Sequence, residues 1–145
     1  MKLIIGSDHA GFLLKEAVKQ FLTGCDVEVT DIGTKSESSV DYTDFGIKVA
    51  QAVAEARFQK GILICGTGMG MSMTANRFRG VRAALANDLF SAIMSRRHND
   101  SNVLALGGRV LGEGLAFEIV KAWLATPFEG GRHHRRIEKM DNPLL

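Results

Sequence analysis

Five short strand-like runs, Leu3–Ile5, Val27–Val29, Ile62–Ile64, Val81–Ala86 and Val103–Leu106, alternate with segments of helical periodicity. Leu14, Ala17, Val18, Phe21 and Leu22 mark the first helix. Phe45, Val49, Ala52, Val53 and Ala56 mark the second, with Thr43 as its expected cap. Met71 to Ala75 open a third; Leu89, Phe90, Ile93 and Met94 predict the inner face of a fourth, and Leu115, Ile119, Ala122 and Trp123 that of a fifth. Strictly alternating strands and helices require crossover connections, and these give a parallel sheet covered on both faces. The expected fold is α/β: a three-layer α/β/α sandwich on a five-stranded parallel sheet, Rossmann-like, in strand order 2-1-3-4-5. Pro127 ends the last helix and begins a basic C-terminal tail. No repeat or linker divides the chain, so residues 1–145 read as one domain.

In that order the crevice opens between strands 1 and 3, where the chain reverses direction across the sheet. Strand 1 ends at Asp8-His9 and strand 3 ends at Cys65-Gly66-Thr67. Topology alone therefore brings an acid, an imidazole and a thiol to one opening. Gly66, Gly68 and Gly70 form a turn that leads into a helix. Such a turn aims unpaired backbone N–H groups at one point and suits an anion. The plain alternative is a tight turn beside a structural cysteine. The dinucleotide fingerprint GxGxxG fits poorly, because Met71 stands where the third glycine belongs; Asp88 lies where a ribose-binding acid would be expected.

Arg96-Arg97-His98-Asn99-Asp100 falls between the fourth helix and the fifth strand, at the wrong end of the sheet for the crevice of its own chain. The arginines there read as a solvated helix end. For His98 to act beside Cys65, a second subunit must supply it. In the tail, Arg132 and Arg136 are four apart and share one helical face, which suits a bidentate grip on phosphate. Arg109, after Gly107-Gly108, can add a third cation. Cys25 reads as a structural residue in a turn, and the methionines at 69, 71 and 73 as core filling.

Composition narrows the partners. A net charge of +2 and no aromatic residues interleaved with the basic ones argue against nucleic acid. No apolar run approaches a membrane span. Two cysteines without CxxC spacing indicate neither a zinc site nor a disulfide framework, which favours the cytoplasm.

Taken together the motifs resemble the family of B-type ribose-5-phosphate isomerases and galactose-6-phosphate isomerase subunits. They are Gly6-Ser7-Asp8-His9-Ala10-Gly11, Asp41-Tyr42, Ile64-Cys65-Gly66-Thr67-Gly68-Met69-Gly70, Ala75-Asn76-Arg77, Ser95 to Asp100, Asn102-Val103-Leu104, Gly108-Arg109-Val110 and Glu129-Gly130-Gly131-Arg132-His133. The resemblance implies aldose–ketose isomerisation of a sugar phosphate, no metal or organic cofactor, and a site shared across a homodimer, sometimes paired into a tetramer. It implies Cys65 as the base, with Thr67 and the backbone of Gly66, Gly68 and Gly70 holding the enediolate. His98 would open the sugar ring, with Asp8, Tyr42 and Asn99 near the sugar. His9, Arg109, Arg132 and Arg136 would hold the phosphate. Some relatives carry a glutamate base at the position of Met71, which cannot ionise here, so Cys65 must take the role. Six-carbon sugar phosphates, a non-catalytic phosphosugar binder and a nicotinamide oxidoreductase are the rival readings.

Overall fold

The computed structural model describes residues 1–144. Strand β1 (Lys2–Ser7) runs through a short 3-10 turn (His9–Gly11) into α1 (Phe12–Thr23). Then come β2 (Glu28–Asp31), α2 (Tyr42–Ala54), β3 (Lys60–Cys65), α3 (Met69–Ala75), β4 (Ala83–Leu85), α4 (Leu89–Asn99), β5 (Val103–Gly107), α5 (Glu113–Ala125) and α6 (His133–Asp141). All strand pairings are parallel, with register Ser7↔Ile64 between β1 and β3 and Cys65↔Gly107 between β3 and β5.

Period-two alternation explains the two layers. Ile62 and Ile64 face α1, α4 and α5 in a core with Leu104, Leu106, Val18, Ile119 and Trp123. Leu63 and Cys65 face α2 and α3, against Val49, Met71 and Ala75. Lys15, 1% exposed, ties α1 to β2 through Asp31 at 2.6 Å. Burial alone would raise the Asp31 carboxyl, but the ammonium groups of Lys15 and Lys19 outweigh it and hold it below the usual range.

Several expectations are corrected. The sheet order is β2-β1-β3-β5-β4, not 2-1-3-4-5. The last strand made takes the inner position because Val103 to Gly107 are buried throughout, whereas Ala83-Ala84-Leu85 are half-buried or exposed. β1 and β3 remain neighbours, so the crevice stays where sequence places it. α4 turns Ala92, Ser95 and Arg96 inward and leaves Phe90 71% exposed. Two polar inward residues are tolerated because they are paired. Ser95 Oγ lies 2.9 Å from Ser101 Oγ, which also accepts from the Trp123 indole, and the Arg96 guanidinium donates to the Ser101 carbonyl and to Asp100. Arg96 is therefore a buried structural cation, not a solvated helix end.

Asp41, not Thr43, occupies the N-cap of α2. The C-terminal tail folds as α6. Of the three methionines only Met71 is buried; Met69 and Met73 face solvent, as does Cys25.

Candidate active site

The carboxyl ends of the strands meet at the β1–β3 crevice. Cys65 closes β3, and its sulfur is almost covered, with the residue 5% exposed. The Gly68 N–H donates to Cys65 Sγ at 3.2 Å. Gly68 has φ 85, and a Cβ there would sit 2.6 Å from Leu85 Cδ1 and 3.0 Å from the Leu106 backbone. Only glycine makes this turn, and the turn is what delivers the N–H. The backbone N–H groups of Gly66 and Thr67 have no partner among the described residues, which leaves them available to an anion.

Neighbouring segments pin the turn. Gly108 N–H donates to the Cys65 carbonyl at 2.7 Å and Arg109 N–H to that of Gly66 at 3.0 Å, so the loop after β5 lies on the end of β3. This seats the Arg109 side chain beside Gly66. Asn87 clamps the other side: its amide donates to the Thr67 carbonyl at 3.0 Å and accepts from Gly107 N–H at 2.8 Å. Sequence reasoning missed Asn87. Its place directly after β4, at the same sheet edge as Cys65, is the signal that could have found it. Thr67 itself is exposed, with its hydroxyl accepting from Met69 N–H.

From β1, Asp8 is 5% exposed and accepts from Gly11 N–H at 3.0 Å, capping the 3-10 turn. His9 Nδ1 accepts from Val40 N–H at 3.1 Å. That bond puts the His9 proton on Nε2, a donor suited to an anion, and ties the polar 34–41 loop to the site. Tyr42 opens α2 with its ring against Gly70, where a Cβ would come within 2.6 Å. Asp88, the one acid that suited a nucleotide ribose, caps α4 by accepting from Ser91 N–H at 2.7 Å, which removes the main support for a nicotinamide site.

His98, Asn99, Arg132 and Arg136 lie elsewhere. α4 begins beside Asn87 at the carboxyl edge and spans about 16 Å. It ends at the amino edge, where Arg82 Nε donates to the Asn99 carbonyl and Gly61 N–H to that of Asn102. His98 rides on that end. Its ring stacks on His133 at 4.5 Å, and Glu129 Oε1 lies 3.6 Å from His98 Nε2. Glu129 N–H donates to the Arg97 carbonyl at 3.1 Å, fastening the C-terminal segment there. Burial and then the charges of His98, Arg132 and Arg136 push the His133 imidazole below its usual range, with Glu129 opposing. Arg132 and Arg136 are exposed on the first turns of α6. One chain thus places the residues singled out from sequence in two groups at opposite edges of its sheet. Glu129 and His133 stand in one of the motifs read from sequence but carried no assigned role; their i,i+4 spacing across two glycines is the local hint to one.

A doubly wound α/β chain that seats a thiol in a glycine-turn anion cradle at its switch point is of the class that acts on small phosphorylated or carboxylated molecules. The chain matches the family model described as Ribose/Galactose Isomerase over residues 3–140, and it belongs to that family. It is 50% identical to ribose-5-phosphate isomerase B of Escherichia coli (strain K12) over 137 residues, covering 94% of this chain and 92% of that protein. The solved ribose-5-phosphate isomerase B of Clostridium thermocellum superposes with TM-score 0.97 at 50% identity, covering 99% of this chain and 97% of the other. That of Thermotoga maritima gives 0.95 at 54% identity, covering 97% of each.

Proposed function

We propose that this protein interconverts ribose 5-phosphate and ribulose 5-phosphate by proton transfer through an enediolate. The observation that carries the reading is the Gly68 N–H on Cys65 Sγ, with two unpaired amides following the sulfur. With the ring open, the Cys65 thiolate takes the C2 proton of the aldose. The electron pair moves to the C1 oxygen, and the enediolate oxygens accept from the turn amides and Thr67. The same thiol returns the proton to C1, and the C2 hydroxyl proton passes to the C1 oxygen, leaving a C2 ketone and a C1 hydroxyl. The C2 proton is weakly acidic, so preorganised donors carry much of the barrier reduction; one such donor is worth about 3–4 kcal/mol.

Ring opening falls to His98, with Asn99 on the sugar hydroxyls. Both come from a second copy, because α4 carries them to the far edge of their own sheet. Arg132 and Arg136 of that copy complete a phosphate grip begun by His9 and Arg109. The outer face of α2 and α3 supports such a homodimer: Tyr42, Ile47, Met69 and Met73 are exposed there, beside a cavity of about 400 Å³ lined in part by Tyr42, Ile47, Met73 and Phe78. Two such dimers can pair into a tetramer. No helix among the described residues is long and apolar enough to cross a membrane. A catalytic thiol requires reducing surroundings, which supports the cytoplasm.

The test is proton NMR of ribose 5-phosphate in deuterated water with the purified protein. Ketose signals with deuterium uptake at the exchanging carbon are expected. Saturable binding without exchange would leave a phosphosugar-binding protein instead. Running allose 6-phosphate and galactose 6-phosphate beside it decides chain length.

A further inference from the structure

The amino-edge cluster of His98, Glu129 and His133 has a chemistry that sugar binding does not use. Their ligand atoms, one from each residue, lie within 4.8 Å of one another. His98 Nε2 and His133 Nε2 stand 3.6 and 3.9 Å from the same oxygen, Glu129 Oε1. On a tetrahedral Zn²⁺ with legs of about 2.0–2.1 Å, neighbouring ligand atoms are about 3.3–3.4 Å apart. Both His–Glu129 separations reach that spacing with movements of about half an ångström or less, while the two imidazole nitrogens, within 4.8 Å of each other, draw together as the His98 ring turns.

Both Nε2 atoms stand near one carboxylate oxygen, but the imidazoles stack with an interplanar angle of 16°, so the half-exposed His98 ring must turn out of the stack to bring its lone pair onto a shared ion. Gly130 and Gly131, at φ 70 and 58, fold the chain sharply between Glu129 and His133. His133 is 6% exposed, and its backbone N–H donates to the Gly130 carbonyl, which fixes the start of α6 beneath it. Two imidazoles and a carboxylate with an open fourth position are a ligand set that suits Zn²⁺ and not Mg²⁺. Arg132 and Arg136 oppose a cation, but both are exposed and screened, and they favour an anion in the fourth position.

We propose that His98, Glu129 and His133 form a facultative Zn²⁺ site, and that the metal and the sugar phosphate exclude one another there. The exclusion rests on the function proposed above. A zinc ion bound to His98 Nε2 occupies the lone pair with which that nitrogen would move a proton at the sugar ring.

The test uses a Cys25→Ser background, to remove an exposed thiol that also takes zinc, in phosphate-free buffer. Calorimetric titration with ZnCl₂ is expected to show one ion per chain. His133→Ala and Glu129→Gln should each weaken binding at least about 100-fold, beyond what loss of an outer partner costs. Co²⁺ in the same protein should give the intense visible bands of four-coordination. No binding, or binding equally strong in both variants, overturns the site; so does zinc that instead blocks Cys65 from a thiol reagent. Repeating the titration with saturating ribose 5-phosphate in Cys65→Ala protein should weaken zinc binding at least about 10-fold. Unchanged zinc affinity with the sugar phosphate bound overturns the exclusion. If zinc-free protein binds the sugar phosphate without isomerising it, the catalytic reading fails while the metal data stand.

Discussion

At the carboxyl edge of the sheet the site is made from backbone. Gly68 turns left-handed, an N–H meets a sulfur, and Asn87 and Gly108 fasten the turn from either side. At the amino edge it is made from side chains. His98, Arg132 and Arg136 stand on helix ends, half-buried or exposed, among further cations. A cradle for developing charge needs fixed dipoles, and only a packed turn supplies them. A grip on a dianion needs charge and reach, which long side chains supply without a rigid frame. One chain carries both groups at opposite edges of its sheet, so the function proposed above asks a second copy to close the site.

The sharpest blow to this contrast is Cys65→Ala. It should reduce turnover at least about 1,000-fold while sugar-phosphate binding persists, measured by NMR exchange and calorimetry. Residual isomerisation near the native rate would remove the carboxyl edge from the chemistry. Co-refolding Cys65→Ala chains with His98→Ala chains tests the division between copies. Each alone is silent, yet half the sites in a mixed dimer are intact, so a statistical mixture should recover about a quarter of native activity. A silent mixture means that each site is built within one chain.

Gly68→Ala should cost about 2–3 kcal/mol of stability, read from urea unfolding, because φ 85 and the Leu85 and Leu106 contacts both resist a Cβ. An unchanged midpoint would show that the turn relaxes and is not the rigid cradle described. Arg136→Ala should raise KM about 10-fold with kcat nearly unchanged, the mark of a positioning charge. A loss confined to kcat would place it at the reacting carbon instead.

The smallest effect concerns Lys60, half-buried at the amino edge over the Trp123 ring. Burial, then the Arg96 charge, lowers it to about 8, with Asp100 opposing. Between about 8 and its ordinary value near 10.5 the unfolded chain binds the proton and the folded chain does not, so stability rises with pH across that window. Lys60→Met should therefore stabilise by about 1 kcal/mol at pH 7, allowing for solvent screening, with the gain gone by about pH 10.5. An equal gain at both values, in thermal unfolding, would locate the effect in packing.

The strands were legible because each is a short apolar run between turn residues, and the crevice because it depends only on β1 and β3 being neighbours. Lateral order beyond β3 was not, since a run of apolar residues does not say which strand it sits beside. The contrast between Ala83-Ala84-Leu85 and Val103-Leu104-Ala105-Leu106 was the available clue. The inner face of α4 differs because Ser95 and Arg96 are inward only by virtue of partners at Ser101, Thr126 and Asp100. At the site, the thiol and its glycine turn stand in one stretch and could be read together. His98 meets Glu129 and His133 only through tertiary contact, and no local pattern joins residues so far apart in sequence.

Because β5 is threaded between β3 and β4, the sheet cannot be finished until the chain has reached Gly107. During synthesis one flank of β3 waits bare for the whole of α3, β4 and α4 to leave the ribosome, a delay on the order of seconds. The nascent protein therefore passes through a stage in which its sulfur-bearing strand is an open edge, and that interval is where chaperones have most to protect.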